Sequence, residues 1–265
     1  MSCNIHQTAI VDSKAQLGAD VEIGPYSIIG ANVRIGDRCK IATHVVVEGH
    51  TTLGKECHLF QFSSVGAAPQ DLKYKGEPTT LIVGDRNIVR ECVTLHPGTV
   101  TGTGSTVIGD GNLFMANCHV GHDCRIGNNN VLANSAGLAG HVHIHNNVIL
   151  GGMVGIHQFC RIGSYVMISA GSMVGLDIPP YCIGQGDRAC LRGINLIGLQ
   201  RSGMNEEEIS AIKKTYRHLF SKVGHLKEKI ESLPEELAKQ PKVKLMMDFL
   251  AESKRGVLNP AKSLE

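Results

Sequence analysis

The apolar residues of this chain recur at every sixth position. From Val11 the sequence reads Val11, Leu17, Ile23, Ile29, Ile35, Ile41, Val47, Leu53, Leu59 and Val65 without a miss. The spacing returns at Val83, Val89 and Leu95, slips by one residue, and then runs unbroken from Ile108 to Val174 through Val120, Leu138, Ile156 and Ile168. A helix needs apolar positions at a 3.6-residue period, so this pattern excludes one. The residue two before each repeat position is small or β-branched (Val21, Ser27, Val33, Cys39, Val45, Thr51), and the one after it is often glycine. Each hexad therefore predicts one short strand and one turn. The glycine supplies either a positive φ or a close backbone approach at the corner.

Two segments break the repeat, residues 66–80 and 101–105. Loops thrown out of a regular solenoid are where function tends to sit. Beyond residue 186 the period changes. Asn205 and Glu208 have the spacing of a capping box, and Ile209, Ile212, Tyr216, Leu219 and Phe220 share one helical face. Ser232, Pro234 and Glu235 mark another helix start, and the run from Lys244 to Gly256 ends in basic residues as helices do. The expected organisation is a solenoid over residues 1–186, with loops at 66–80 and 101–105, followed by a helical domain over residues 187–265.

Composition agrees with a repeat protein. Aromatic residues are only 4%, tryptophan is absent and there are 31 glycines, so the core is built from aliphatic and small side chains. The nine cysteines are odd in number and include no CxxC pair, which fits a reducing, cytoplasmic compartment. No signal peptide or membrane span is legible. Net charge is +2, but residues 1–186 carry 11 Lys/Arg against 13 Asp/Glu and residues 187–265 carry 15 against 11. The basic tail points to an acidic partner or phosphorylated ligand rather than to nucleic acid, or to an ordinary solvated helical surface. Residues 126–160 contain no Asp, Glu, Lys or Arg. Read as an uncharged solenoid face, this stretch predicts contact with another subunit.

Six of the thirteen histidines lie between residues 119 and 157. Val120, Leu138 and Ile156 are eighteen residues apart, so His119, His122, His141 and His157 hang from one face and its corner. Adjacent coils bring His122 and His141 to about one strand spacing, roughly 4.8 Å. Two chemistries remain open: a histidine base with Asp123 as its orienting carboxylate, or zinc held by three histidines from neighbouring coils.

The repeat resembles the hexapeptide-repeat family, which implies a mainly β fold: a left-handed parallel β-helix of triangular section with about ten coils. The set "NCHVGHDC", "LAGHV", "GIHQFCRIG", "PQDLKY" and "DIPPY" is similar, over nearly the whole chain, to the cytoplasmic UDP-N-acetylglucosamine O-acyltransferases that begin lipid A synthesis. That resemblance implies transfer of an (R)-3-hydroxyacyl chain from acyl carrier protein to the 3-hydroxyl of UDP-N-acetylglucosamine. It also implies a homotrimer and no metal or dissociable cofactor. The reading it competes with is a hexapeptide-repeat zinc enzyme of the carbonic anhydrase kind, or a noncatalytic scaffold.

Carried over by position, the resemblance makes His122 the base, Asp123 its orienting partner and Gly140 the backbone donor to the oxyanion. His119, His141, His157 and Gln158 hold the sugar, Gln70, Asp71 and Lys73 contact substrate from the first loop, and Asn195 and Arg201 serve the nucleotide and carrier region. Ile197 and Ser202 depart from the family, which usually has an acidic residue and a second arginine there. Ala170 matches an acyl-length ruler at which glycine accompanies fourteen-carbon donors, so alanine predicts a donor of about twelve carbons.

Overall fold

The computed structural model describes residues 3–220 and 225–261. The hexads wind into a left-handed parallel β-helix of three sheets with eleven, nine and eight strands, here called faces A, B and C in chain order. Away from the loops, strands pair with residues one coil, or eighteen positions, away, as in Asn4↔Glu22 and Gly137↔Gly155. The repeat residues and those two before them fill the prism, and Ile29, Leu59, Leu95, Phe114, Leu138 and Ile162 are fully buried. Cys39, Cys57, Cys118, Cys124 and Cys160 are small inward residues of this kind, and all nine cysteines are free thiols.

The corners separate two roles that the sequence leaves merged. Positive φ falls three residues after the repeat position, on non-glycine residues such as Asp20, Arg38, Asp123 and His141. The glycine directly after the repeat position serves close approach instead. At Gly127 an added Cβ would run into the Asn146 side chain, whose Oδ1 accepts the N–H of Asn128. Inside the prism, Asn87, Asn112 and Asn130 form a buried ladder in which each side-chain oxygen accepts a backbone N–H of the next coil, ending at Val148. These amides are satisfied, so they add register without leaving an unpaired polar group in the core.

Three expectations change. The uncharged stretch 126–160 is not one face but a belt about two coils tall, because each coil of eighteen residues passes through all three faces. The interrupting loops end earlier than expected. Thr80 and Ser105 already lie in the four-residue strands Thr80–Val83 and Ser105–Ile108, which pair in register. The final helix stops at Ala251, well before Gly256. Its continuation bends into a strap: Ser253 donates to the buried Asp177, and Gly256, at φ +87°, accepts the Asp177 N–H.

The solenoid closes with an antiparallel pair, Cys182–Gln185 and Cys190–Ile194. Helices follow as α1 (Leu196–Arg201), α2 (Glu206–Phe220), α3 (Leu226–Glu231), α4 (Glu235–Ala238) and α5 (Pro241–Ala251). The capping box at α2 is reciprocal, with Asn205 N on Glu208 and Glu208 N on Asn205. Ile209, Ile212, Leu219 and Phe220 are buried beneath it, and Tyr216 is half-buried. No helix among the described residues is long and apolar enough to cross a membrane.

Candidate active site

Eighteen-residue stacking builds the site at the corner between faces B and C. Asp123, His141 and Phe159 each sit three after a repeat position, in left-handed backbone at φ 59°, 62° and 66°. His122, Gly140 and Gln158 stack beside them at the preceding position. The His122 ring rises onto the coil above, where a Cβ on Gly140 would lie 2.5 Å from His122 Nε2. Only glycine fits there. The N–H of His141 donates to the His122 carbonyl at 2.8 Å, and the two rings meet edge to face at 5.0 Å. His141 stacks on Phe159 at 4.5 Å.

Asp123 is fully buried, and its carboxylate is surrounded by donors. His122 Nδ1 lies 2.8 Å from Oδ2, Thr99 Oγ1 donates to Oδ2 at 2.7 Å, and Thr103 N donates to Oδ1 at 2.7 Å. The Thr99 N–H forks across both oxygens, and the Thr103 hydroxyl, which also reaches Ser105 O, adds a contact at 3.1 Å. Burial works to raise the Asp123 pKa, but the bonds from His122, Thr99 and Thr103 outweigh it and hold the group below the usual carboxylate value. An ionised Asp123 accepts only, so the His122 proton belongs on Nδ1 and Nε2 is left as the basic nitrogen.

Three neighbouring histidines, His141, His119 and His96, are held toward the neutral form. Burial lowers His141, helped by His122 and opposed by the charges of Asp123 and Asp71. His119 is lowered by burial and by His122, and its Nδ1 pairs with Thr94 Oγ1 at 2.7 Å. His96, almost fully buried and 4.9 Å from the His119 ring, is pushed down to about 4, mainly by burial. His157 is exposed; Arg255 of the strap donates to its Nδ1 at 2.9 Å, and Gln158 beside it is exposed too.

The metal alternative has a partial basis. His122, Asp123 and His141 offer ligand atoms within 4.8 Å of one another. This is two imidazoles and a carboxylate, not three histidines, because His119 and His157 leave the corner for face B. The Asp123 oxygens already receive the Thr99, Thr103 and His122 donors, and a cation would have to displace them. The donor set therefore fits an oriented imidazole better than a metal ion.

The structure gathers His122, Asp123, Gly140 and His141, with His119, His157 and Gln158 within a coil. Asp71 is close enough for its charge to act on His141, whereas Gln70 and Lys73 are exposed on the first loop. Asn195 and Arg201 lie elsewhere, in a groove on face A lined also by Val131, Ile149, Met167 and Ile183. Asn195 is spent on structure there, capping α1 through Gly198 N and donating to Tyr165 O. Ile197 is exposed beside it.

Ala170 is exposed at the corner between faces A and B, not at the corner of His122, because forty-eight residues is a non-integral number of coils. Sequence reasoning missed Thr99, Thr103 and Arg255. The first two lie in or beside the loop that breaks the repeat, and Arg255 comes from a strap whose return no local pattern announces.

Two grooves flank the corner. One, of about 710 Å³, runs over face B past His119, Gly137, Ala139, Gly155 and His157 to Met173, whose sulfur lies 2.7 Å from where a Gly155 Cβ would stand. The other, of about 940 Å³, lies over face C under the strap, between Asp123, His141 and the cations Arg161, Lys254 and Arg255.

The family profile described as UDP-N-acetylglucosamine O-acyltransferase, domain 2, matches residues 177–258. The bacterial transferase hexapeptide profile matches residues 2–36 and 105–140. The chain is similar to the acyl-[acyl-carrier-protein]–UDP-N-acetylglucosamine O-acyltransferase of Thermodesulfovibrio yellowstonii, at 47% identity over 96% of this chain and 98% of that one. Among solved structures, the UDP-N-acetylglucosamine O-acyltransferase of Moraxella catarrhalis matches with a TM-score of 0.93 and 43% identity, over 96% of this chain and 99% of the other. The UDP-N-acetylglucosamine acyltransferase of Francisella novicida matches at 0.94 and 40%, over 97% and 95%.

Proposed function

The chain belongs to the UDP-N-acetylglucosamine O-acyltransferase family and is an O-acyltransferase, and from that premise we propose that it works by histidine general-base catalysis at the Asp123–His122 corner. The donor is an (R)-3-hydroxyacyl group on acyl carrier protein, the acceptor is the 3-hydroxyl of UDP-N-acetylglucosamine, and the reaction opens lipid A synthesis in the cytoplasm. The observation that carries the mechanism is the hydrogen bond from His122 Nδ1 to a buried, ionised Asp123.

A sugar hydroxyl is a weak nucleophile at neutral pH, so it must lose its proton as it attacks. His122 Nε2 takes that proton while the hydroxyl oxygen bonds to the thioester carbonyl carbon, and the imidazolium is stabilised by Asp123. The Gly140 N–H donates to the developing oxyanion, on a residue whose missing Cβ permits the approach. Collapse of the tetrahedral intermediate breaks the C–S bond, and the thiolate leaves with the proton from His122. His119, His141, His157 and Gln158 hold the sugar around this centre, with Gln70, Asp71 and Lys73 closing over it. The solenoid supplies the chemistry. The strap and helical tail dock the acidic carrier through the basic surface of residues 187–265, which carry 15 Lys/Arg against 11 Asp/Glu.

The active unit is a homotrimer with sites shared between neighbours. Face A presents Leu113, Val131, Ile149, Met167 and Ile183, face B presents Gly137 and Gly155, and face C carries Arg125, His143 and Arg161. Aliphatic knobs on one subunit's face A fit the glycine-lined face B of the next and leave the charged face to solvent. That arrangement carries the Asn195 and Arg201 groove of one subunit toward the His122 corner of its neighbour. Co-expression of His122→Ala with Arg201→Ala tests it. Each variant alone is inactive, and the randomly assembled population recovers about a quarter of wild-type activity, because about three-quarters of the rings are mixed and each mixed ring holds one intact site of its three. No recovery above the two parents refutes the shared site.

The acyl chain lies in the face B groove, which spans three coil steps, about 14 Å, from His119 to Met173. Met173 closes the groove and Ala170 flanks it one corner earlier in the same coil. Ala170→Gly is expected to shift the competition between twelve- and fourteen-carbon donors toward the longer. An unchanged ratio removes Ala170 as the ruler, and a shift in Met173→Gly alone assigns the role to Met173.

A further inference from the structure

The second and shorter departure from the repeat, spanning residues 96–104 between the strands Thr94–Leu95 and Ser105–Ile108, wraps the Asp123 carboxylate. Thr99 contributes both its N–H and its hydroxyl, Thr103 its N–H, and Gly102 packs against the same group so closely that any Cβ would strike it. The loop is closed on itself by Gly102 N and Gly104 N, which both donate to Thr99 O at 3.0 Å. A regular hexad could not do this, because its corner offers the stacked neighbour only one backbone donor.

We propose that Thr99 and Gly102 are positioning residues of the reaction, and that the insertion holds the Asp123 carboxylate in the single orientation that aims its free lone pair at His122 Nδ1. Neither residue touches the reacting atoms. Thr99 is buried and its hydroxyl donates to the same oxygen, Oδ2, that receives His122. Without that donor, Oδ2 is free to rotate toward another partner, and His141 Nε2 stands 3.9 Å away. The titratable and charged groups around His122 and Asp123 are His96, His119 and His141, with Asp71 of the first loop acting on His141 and with Arg161, Asp177, Glu252, Lys254 and Arg255 lining the groove beside Asp123. Burial lowers all three histidines toward the neutral form, and the cations Arg161, Lys254 and Arg255 line the same groove as Asp123 but make no hydrogen bond or ion pair to its carboxylate among the described residues.

The proposal rests on His122 being the base, and the experiment separates the two. Thr99→Val keeps the shape and removes the hydroxyl, and kcat is expected to fall about tenfold with the KM for the nucleotide sugar unchanged, the effect of losing one hydrogen bond to a charged group. Thr99→Ser restores the hydroxyl and is expected within about twofold of wild type. Thr103→Val, whose hydroxyl is shared with Ser105 O, is expected to lose at most about threefold. Should Thr99→Val fold poorly, Gly102→Ala provides the second measurement. Its Cβ must push the loop or the carboxylate aside, so native circular dichroism with a modest loss of melting temperature is expected together with a kcat loss of tenfold or more. A Thr99→Val or Gly102→Ala enzyme with more than half of wild-type kcat, or a Thr99→Ser enzyme as slow as Thr99→Val, overturns the positioning role. If His122→Ala is inactive in the same assays, that result leaves the base in place and removes only the clamp. If His122→Ala is active, the base reading itself fails.

Discussion

Replacing His122 with alanine is expected to leave a folded protein that has lost about 10² to 10⁴ of its turnover. The side chain sits at a partly exposed corner, outside the aliphatic column that supports the prism, so its removal deletes little packing. The chemistry loses a nitrogen that faces the stacked Gly140 and is backed by an ionised carboxylate. Steady-state assay with acyl carrier protein donors and the nucleotide sugar, alongside thermal melting, gives both halves of the result. An enzyme retaining more than about a tenth of wild-type activity would remove His122 from the role of base.

Asp123→Asn is expected to be as damaging to rate and worse for stability. If the new amide nitrogen takes the place of Oδ2, it faces His122 Nδ1 and forces that nitrogen to accept, which puts the proton on Nε2 and occupies the base. If it takes the place of Oδ1, it points at the Thr99 and Thr103 N–H groups, setting donors against donors at a fully buried side chain. The first arrangement costs about 10³ to 10⁴ in kcat, by analogy with the wrong imidazole tautomer in serine proteases. The second leaves buried donors unsatisfied at about 1 to 3 kcal/mol. A variant that melts like wild type and turns over within tenfold of it would contradict both arrangements, and with them the orienting role of Asp123.

The six-residue period, inward residues and corner glycines are local properties of the chain, repeated many times, so no long-range information was needed to read the solenoid. Once the period was known, eighteen-residue arithmetic brought His122 and His141 to one corner with Asp123 beside the first, while Gly140 entered only through the family resemblance. The corner of His122, Asp123 and His141 was determined by sequence alone. The same arithmetic misplaced the uncharged stretch, because a run of consecutive residues travels around the prism and a face collects every eighteenth residue. It placed Ala170 two and two-thirds coils beyond His122, and the fraction puts it at the corner between faces A and B, flanking the groove one corner before Met173.

Tertiary structure alone decided what crosses the repeat. The donors of Thr99 and Thr103 reach Asp123 from more than a coil away through an irregular loop, and a loop's path depends on where its backbone groups find partners rather than on its residue types. Arg255 meets His157 because the chain after α5 turns back along the solenoid, held by the buried Asp177. The separation of His122 from Arg201 follows from face assignment in three dimensions. A periodic sequence specifies its own lattice, because each unit contacts only its neighbours. Departures from that lattice are set by contacts between residues far apart in the chain, and here they complete the site.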